Sequence, residues 1–206
     1  VAELILGEKI ETGFTHPGEQ HSYQFTLDQE TQIYIDTLTP ADGNYRWYLY
    51  GPSGQITNRT FTQSEGVRQT TTTPFYTLEA GDYELIINPD NAVVGNYAIR
   101  VLDMANAAAI TIGTPLVNSI NPGSETDIYQ FDATVGDRFY FDRQTSSSSG
   151  NVWMRLLDPF GNVLQNKYYN DVDTFTVLHD GRYTLLMEGD IYGSASIYDY
   201  QFTVFA

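Results

Sequence analysis

Three kinds of side chain in this sequence are of types that could do chemistry: histidines, closely spaced carboxylates, and aromatics on strand faces. The histidines are His16, His21 and His179. None belongs to an HExxH pair, and neither a GxSxG elbow nor a phosphate-cradling P-loop occurs. His21 stands beside Ser22, the residue types of a hydrolytic base and nucleophile. Neighbours on an extended strand point to opposite faces, so adjacency does not make them a pair. Cysteine is absent, which removes thiol nucleophiles, Cys-zinc sites and disulfides together.

The carboxylates Asp171/Asp173 and Glu188/Asp190 are spaced two apart. Such pairs can serve as acid and base, but acids on loops more often meet solvent or a cation. Calcium takes several carboxylate and carbonyl oxygens, usually from loops. Asp36 and Asp142 recur at one position of an internal repeat. With Asp171 and Asp173 they are the expected calcium ligands if the chain holds an ion. EF-hand spacing is missing, and bonding to a neighbouring turn is the other role open to Asp36 and Asp142.

The aromatics lie on strands whose phase can be read. Gly43–Gly54, GNYRWYLYGPSG, and Gly150–Gly161, GNVWMRLLDPFG, each run from Gly-Asn through alternating residues to a Pro-x-Gly turn. Period two marks a strand with one buried face, and Pro-x-Gly supplies turn chemistry. Tyr45, Trp47 and Leu49 take the inward phase of the first copy, and Val152, Met154 and Leu156 that of the second. The outward phase then holds Tyr48 and Tyr50 in one copy, and Trp153, Arg155 and Leu157 in the other. Tyr34 and Tyr140 are outward on preceding strands. Exposed rings offer flat surfaces for sugar or proline rings. Trp153, Tyr140, Arg155, Tyr34, Tyr48 and Tyr50 are therefore the expected ligand-binding residues.

The elements around these strands repeat in order. HPGEQHSYQF (His16–Phe25) matches NPGSETDIYQF (Asn121–Phe131), and IYID (Ile33–Asp36) matches FYFD (Phe139–Asp142). LEAGDYEL (Leu78–Leu85) matches LHDGRYTL (Leu178–Leu185), and NYAIRV (Asn96–Val101) matches DYQFTV (Asp199–Val204). A period of about 100 residues exceeds a solenoid repeat and equals a small domain. The expected organisation is a domain over 1–103, a linker over 104–109 and a domain over 110–206. Each should hold its own core, with Tyr23, Phe25, Ile33, Ile35, Trp47, Leu49, Tyr83 and Leu85 in the first. Tyr129, Phe131, Phe139, Phe141, Met154, Leu156, Tyr183 and Leu185 should form the second. The polar run Thr57–Thr73 reads as a long loop with one edge strand, and Thr145–Gly150 as a mobile loop. Short strands with Gly, Pro and Asn turns give an all-β fold of antiparallel sandwiches.

Charge narrows the partners. The chain carries 26 acidic against 10 basic residues, a net charge of -16. Nucleic acid and anionic membranes both require basic patches, so neither is an expected partner. No apolar run reaches the length of a membrane span. A basic-then-apolar signal peptide is also absent, as expected of a mature or excised segment. Lack of cysteine suits an exported protein.

The ordered set Pro-Gly, Tyr-x-Phe, hydrophobic-x-hydrophobic-Asp, Pro-x-Gly, Gly-x-Tyr-x-Leu and a closing Tyr-x-hydrophobic-x-Val resembles the bacterial pre-peptidase C-terminal domain. The resemblance covers about Glu3–Leu102 and again Ile110–Phe205. Asp127 precedes Tyr129 as in that family, whereas His21 takes the equivalent place before Tyr23. The resemblance implies two tandem jelly-roll-like β-sandwich domains in a non-catalytic accessory module of a secreted or surface bacterial protein. The partner it implies is an extracellular polysaccharide or protein, or other domains of a parent chain; some relatives, including collagen-binding domains of clostridial collagenases, carry calcium. The alternative is a spacer, stabiliser or secretion-assisting pair without a ligand.

Overall fold

The structure is a computed structural model that describes residues 1–64, 75–146, 152–193 and 195–206. The chain divides into two compact units, Val1–Asn106 and Ala107–Ala206. The first contains β1 (Ala2–Glu3), β2 (Lys9–Phe14), β3 (His21–Leu27), β4 (Thr31–Thr39), β5 (Tyr45–Gly51), β6 (Gly54–Thr60), β7 (Tyr76–Leu78), β8 (Gly81–Pro89) and β9 (Gly95–Asp103). The second contains β10 (Ala108–Ala109), β11 (Leu116–Ile120), β12 (Thr126–Ala133), β13 (Arg138–Ser146), β14 (Trp153–Leu157), β15 (Val163–Tyr168), β16 (Val172–Thr176), β17 (Gly181–Glu188) and β18 (Tyr198–Phe205). Each unit is a β-sandwich.

In the first unit a five-stranded sheet, β1-β3-β8-β5-β6, faces a four-stranded one, β2-β9-β4-β7. In the second the orders are β10-β12-β17-β14-β15 and β11-β18-β13-β16, the same arrangement strand for strand. Register repeats too: Ala2 pairs with Tyr23 and Ala108 with Tyr129, both in parallel pairs. The other ladders are antiparallel.

Alternation builds both cores. All of the core residues expected from the sequence are buried, each set in one cluster confined to its own unit. Trp47, Leu49, Leu85 and Ile87 come from the five-stranded sheet and meet Ile33, Ile35, Ile99 and Val101 from the other. Phe25 stacks on Tyr83 at 5.3 Å, and Phe131 on Tyr183 at 5.7 Å.

The repeated Pro-x-Gly and Gly-x-Tyr motifs prove to be one device. A Cβ at Gly81 would lie 2.8 Å from Pro52, and one at Gly181 would lie 3.0 Å from Pro159. Both glycines have positive φ, 155° and 135°, so only glycine fits under the proline. Two residues on, the hydroxyl of Tyr83 donates to the carbonyl of Glu79 at 2.7 Å, and that of Tyr183 to the carbonyl of His179 at 3.0 Å.

The expected edge strand in the polar run is β6, which takes residues 57–60; residues 65–74 lie outside the described set, as do residues 147–150 of the expected mobile loop. Leu78 is buried, but its sequence match Leu178 is 70% exposed and Val177 fills the core instead. Within residues 104–109, Met104–Asn106 is a 3-10 turn with Met104 buried, and Ala108–Ala109 is β10.

Candidate functional site

Each core holds a line of tyrosine hydroxyls at its polar end. In the first unit Tyr23 and Tyr97 hydroxyls lie 2.7 Å apart, Tyr97 meets His21 Nδ1 at 2.8 Å, and His21 Nε2 meets Glu19 at 3.2 Å. In the second, Tyr129 bonds Tyr200, whose hydroxyl donates to Asp127 Oδ2 at 2.6 Å. Burial raises all four phenols, and Tyr97 and Tyr200 rise furthest. These hydroxyls face inward in both copies, so the lines satisfy buried polar groups. His21 and Asp127 share one position in the repeat. The sequence signal for that was the residue two before Tyr-x-Phe, whereas the partners Tyr97 and Tyr200 were visible only as matched residues of the closing strands.

Glu19 closes the turn before β3. Its carboxylate accepts the Thr15 amide at 2.6 Å and the His16 amide at 3.2 Å. The Thr15 amide first, then the His21 ring and the His16 amide, lower it from an ordinary 4.5 to about 2. A depressed carboxyl contributes stability that is fully present above pH 4.5 and is lost as pH falls through about 2. The thermal midpoint of the protein should therefore converge on that of Glu19→Gln across this window. A gap between the two that stays constant with pH would show that the charge on Glu19 contributes nothing.

The expected ligand residues divide. Tyr34 is fully buried, not outward into solvent, and so are Arg155 and Leu157. Arg155 Nε pairs with Glu188 at 3.2 Å, with the side chains 1% and 0% exposed. Alternation gives which side of a strand a residue takes, but not whether that side is covered. Trp153 is half-buried, its ring 4.2 Å from that of Tyr168 on the edge strand β15. Asp36 is fully buried and receives Arg100 Nε at 2.7 Å, an ion pair where a calcium ligand was expected. Tyr140 is half-buried, and its hydroxyl is raised by that burial first and then by the charges of Asp171, Asp142 and Asp173. Among the described residues no group of three or more His, Cys, Asp or Glu side chains is placed to hold a metal.

Tyr48 and Tyr50 remain half-exposed on the outward face of the first unit's five-stranded sheet. Cross-strand register sets Tyr50 opposite Glu84 and Gln55, Glu84 opposite Gln24, and Gln24 opposite Glu3. One transverse row, Glu3–Gln24–Glu84–Tyr50–Gln55, thus crosses all five strands. Four gaps of about 4.8 Å make it roughly 19 Å long. The next row holds Ser22, Ile86, Tyr48 and Asn58. Tyr50 donates to Gln55 Oε1 at 3.2 Å, and Ser22 bonds Glu84. Two adjoining depressions follow the first row. One, of about 490 Å³, is lined in part by Glu3, Gln24 and Thr26; the other, of about 400 Å³, by Gln24, Thr26, Tyr50, Asp82 and Glu84. Sequence reasoning found Tyr48 and Tyr50 by phase. It missed Glu3, Gln24, Glu84 and Gln55, because register joins them and register depends on how distant strands pair.

The second unit offers an internal comparison. By the same register its counterpart row reads Ala109–Gln130–Thr184–Leu157–Val163. A sandwich of identical strand order therefore forms with small or apolar residues at four of these five places.

No protein-family model matches this chain, and no curated protein does. Solved structures similar to it include a periplasmic inhibitor of g-type lysozyme, PliG, from Aeromonas hydrophila. It is 14% identical, covers 48% of this chain and 93% of its own, and has a TM-score of 0.37. The pre-peptidase C-terminal domain of a Bacillus anthracis collagenase is 15% identical over 48% of this chain and 92% of its own, at a TM-score of 0.38. The CUB1-EGF-CUB2 segment of rat MASP-1 is 8% identical over 100% of this chain and 99% of its own, at 0.35. No residue role passes from them to this chain at these scores.

Proposed function

We propose that this chain is a non-catalytic accessory module of an extracellular or surface protein, and that it binds polysaccharide on the outward face of the first unit's five-stranded sheet. One observation carries the reading. The row Glu3–Gln24–Glu84–Tyr50–Gln55 presents a ring, two amides and two carboxylates, where the equivalent row of the second unit keeps one amide, Gln130, and has a buried Leu157 in place of the ring. A tyrosine face flanked by amides and acids suits a sugar, which offers a C–H face to stack and hydroxyls to bond. A shallow open groove suits a long chain that passes through, rather than a small molecule that is enclosed.

Affinity electrophoresis through gels containing soluble β-linked polysaccharides tests this. At least one should retard the chain, and Tyr50→Ala should weaken that binding about tenfold, the scale of one central aromatic contact. The thermal midpoint of the variant should hardly move, since outward substitutions typically cost within about 0.5 kcal/mol. A folded chain retarded by none of the gels is a spacer, and the binding reading fails.

A further inference from the structure

We infer that the glycan this face takes is a cationic one, a chain of amino sugars whose amines are free. This rests on the polysaccharide reading above and specifies its ligand. The groove carries carboxylates at three places: Glu3 at one end of the transverse row, Glu84 at its centre beside Tyr50, and Asp82 one step along β8. Glu3 and Asp82 are exposed and Glu84 is half-exposed, so all three keep contact with whatever lies in the groove.

One cation on this face, Arg46, is placed away from them. Arg46 shares the outward phase of β5 with Tyr50, four residues along the strand, about 13 Å at strand rise. Its Nε pairs with Asp90 at 3.4 Å and a terminal nitrogen donates to Asn58 at 3.0 Å. An anionic sugar would thus meet repulsion along the groove, while an ammonium group would meet complementary charge. Tyr50 adds a second attraction that neutral sugars share: its ring stacks on a sugar, and it also draws a nearby cation to its face.

The contrast between units argues that the charge is selected. Glu3 and Glu84 are matched by Ala109 and Thr184 at the same register. Both carboxylates are lost together where the ring is lost, with Leu157 in place of Tyr50.

Isothermal titration compares the hexamer of glucosamine with the hexamer of N-acetylglucosamine. The two share ring and linkage and differ in charge. Mildly acidic buffer of low salt keeps the amines of the glucosamine hexamer charged. The free amine should bind about tenfold more tightly, and salt should erode the difference because exposed charges are screened. Glu84→Gln should contract the ratio about two- to fivefold, the scale of one exposed pair. Thr184→Val, the matching position of the second unit, should leave both affinities as they are. Equal binding of the two hexamers, with both weakened by Tyr50→Ala, overturns the amino-sugar assignment and leaves the polysaccharide reading standing. Absence of binding by either overturns both. A lysine hexamer that binds as tightly as glucosamine, indifferent to Tyr50→Ala, overturns it in favour of a peptide.

Discussion

Trp47→Ala should lower the unfolding free energy of the first unit by about 3–5 kcal/mol, the range for deleting a buried large aromatic. Trp47 is 0% exposed in the middle of β5. Its Nε1 donates to Ser64 Oγ at 2.6 Å, and its ring meets Tyr76 edge-on at 6.2 Å. The substitution removes transfer energy and leaves a cavity, and it takes one hydrogen bond from the Ser64 hydroxyl, which keeps the one it donates to the Thr60 carbonyl at 3.1 Å. Register pairs Trp47 with Ile87 and Met154 with Met187, so methionine occupies the same place in the second unit. Trp47→Met should therefore cost clearly less than Trp47→Ala, because an unbranched thioether refills part of the volume. Urea unfolding of the intact chain checks both. A loss below about 1 kcal/mol for the alanine variant would place the indole outside the core.

The second large effect belongs to Glu188. Arg155 and Glu188 form an ion pair with both side chains shut away from solvent. One guanidinium nitrogen of Arg155 has no hydrogen-bond partner among the described residues. Removing one member of a buried pair leaves an uncompensated charge, so Glu188→Ala should cost about 3–5 kcal/mol. Replacing both, Arg155→Met with Glu188→Leu, should cost far less than the sum, because no buried charge remains. The double-mutant cycle should yield a coupling of about 1–3 kcal/mol. Additive losses would mean that the two side chains do not depend on each other.

Period-two reasoning works on a strand whose one face meets the core. It placed Trp47, Leu49, Met154 and Leu156 correctly, along with their partners on β3, β8, β12 and β17. It failed at Tyr34, Asp36 and Arg155 for one physical reason. These residues do take the second face of their strands, and burial there depends on what lies over a sheet, which alternation does not encode. Asp36 also shows why a recurring acid is weak evidence for a metal. Arg100 lies opposite it in the ladder and pairs with its Oδ2, so an ion pair accounts for a carboxylate at this position. The transverse row was half legible. Tyr50 could be found from its own strand, whereas Glu84 and Glu3 join it only through pairings between residues far apart in sequence. Ser22 and His21 lie apart as strand geometry requires, and each has its own partner, Glu84 and Tyr97.

The two tryptophans fall one to each unit, Trp47 sealed in the first core and Trp153 half-open beside Tyr168 in the second. The chain thereby carries two built-in optical labels of different colour. Emission from a sealed indole lies to the blue, and that from a wetter one to the red. A melt followed at both ends of the emission band would report each sandwich separately, without any attached dye. Replacing either indole by phenylalanine would leave a single label, so that the order in which the two sandwiches come apart could be read directly.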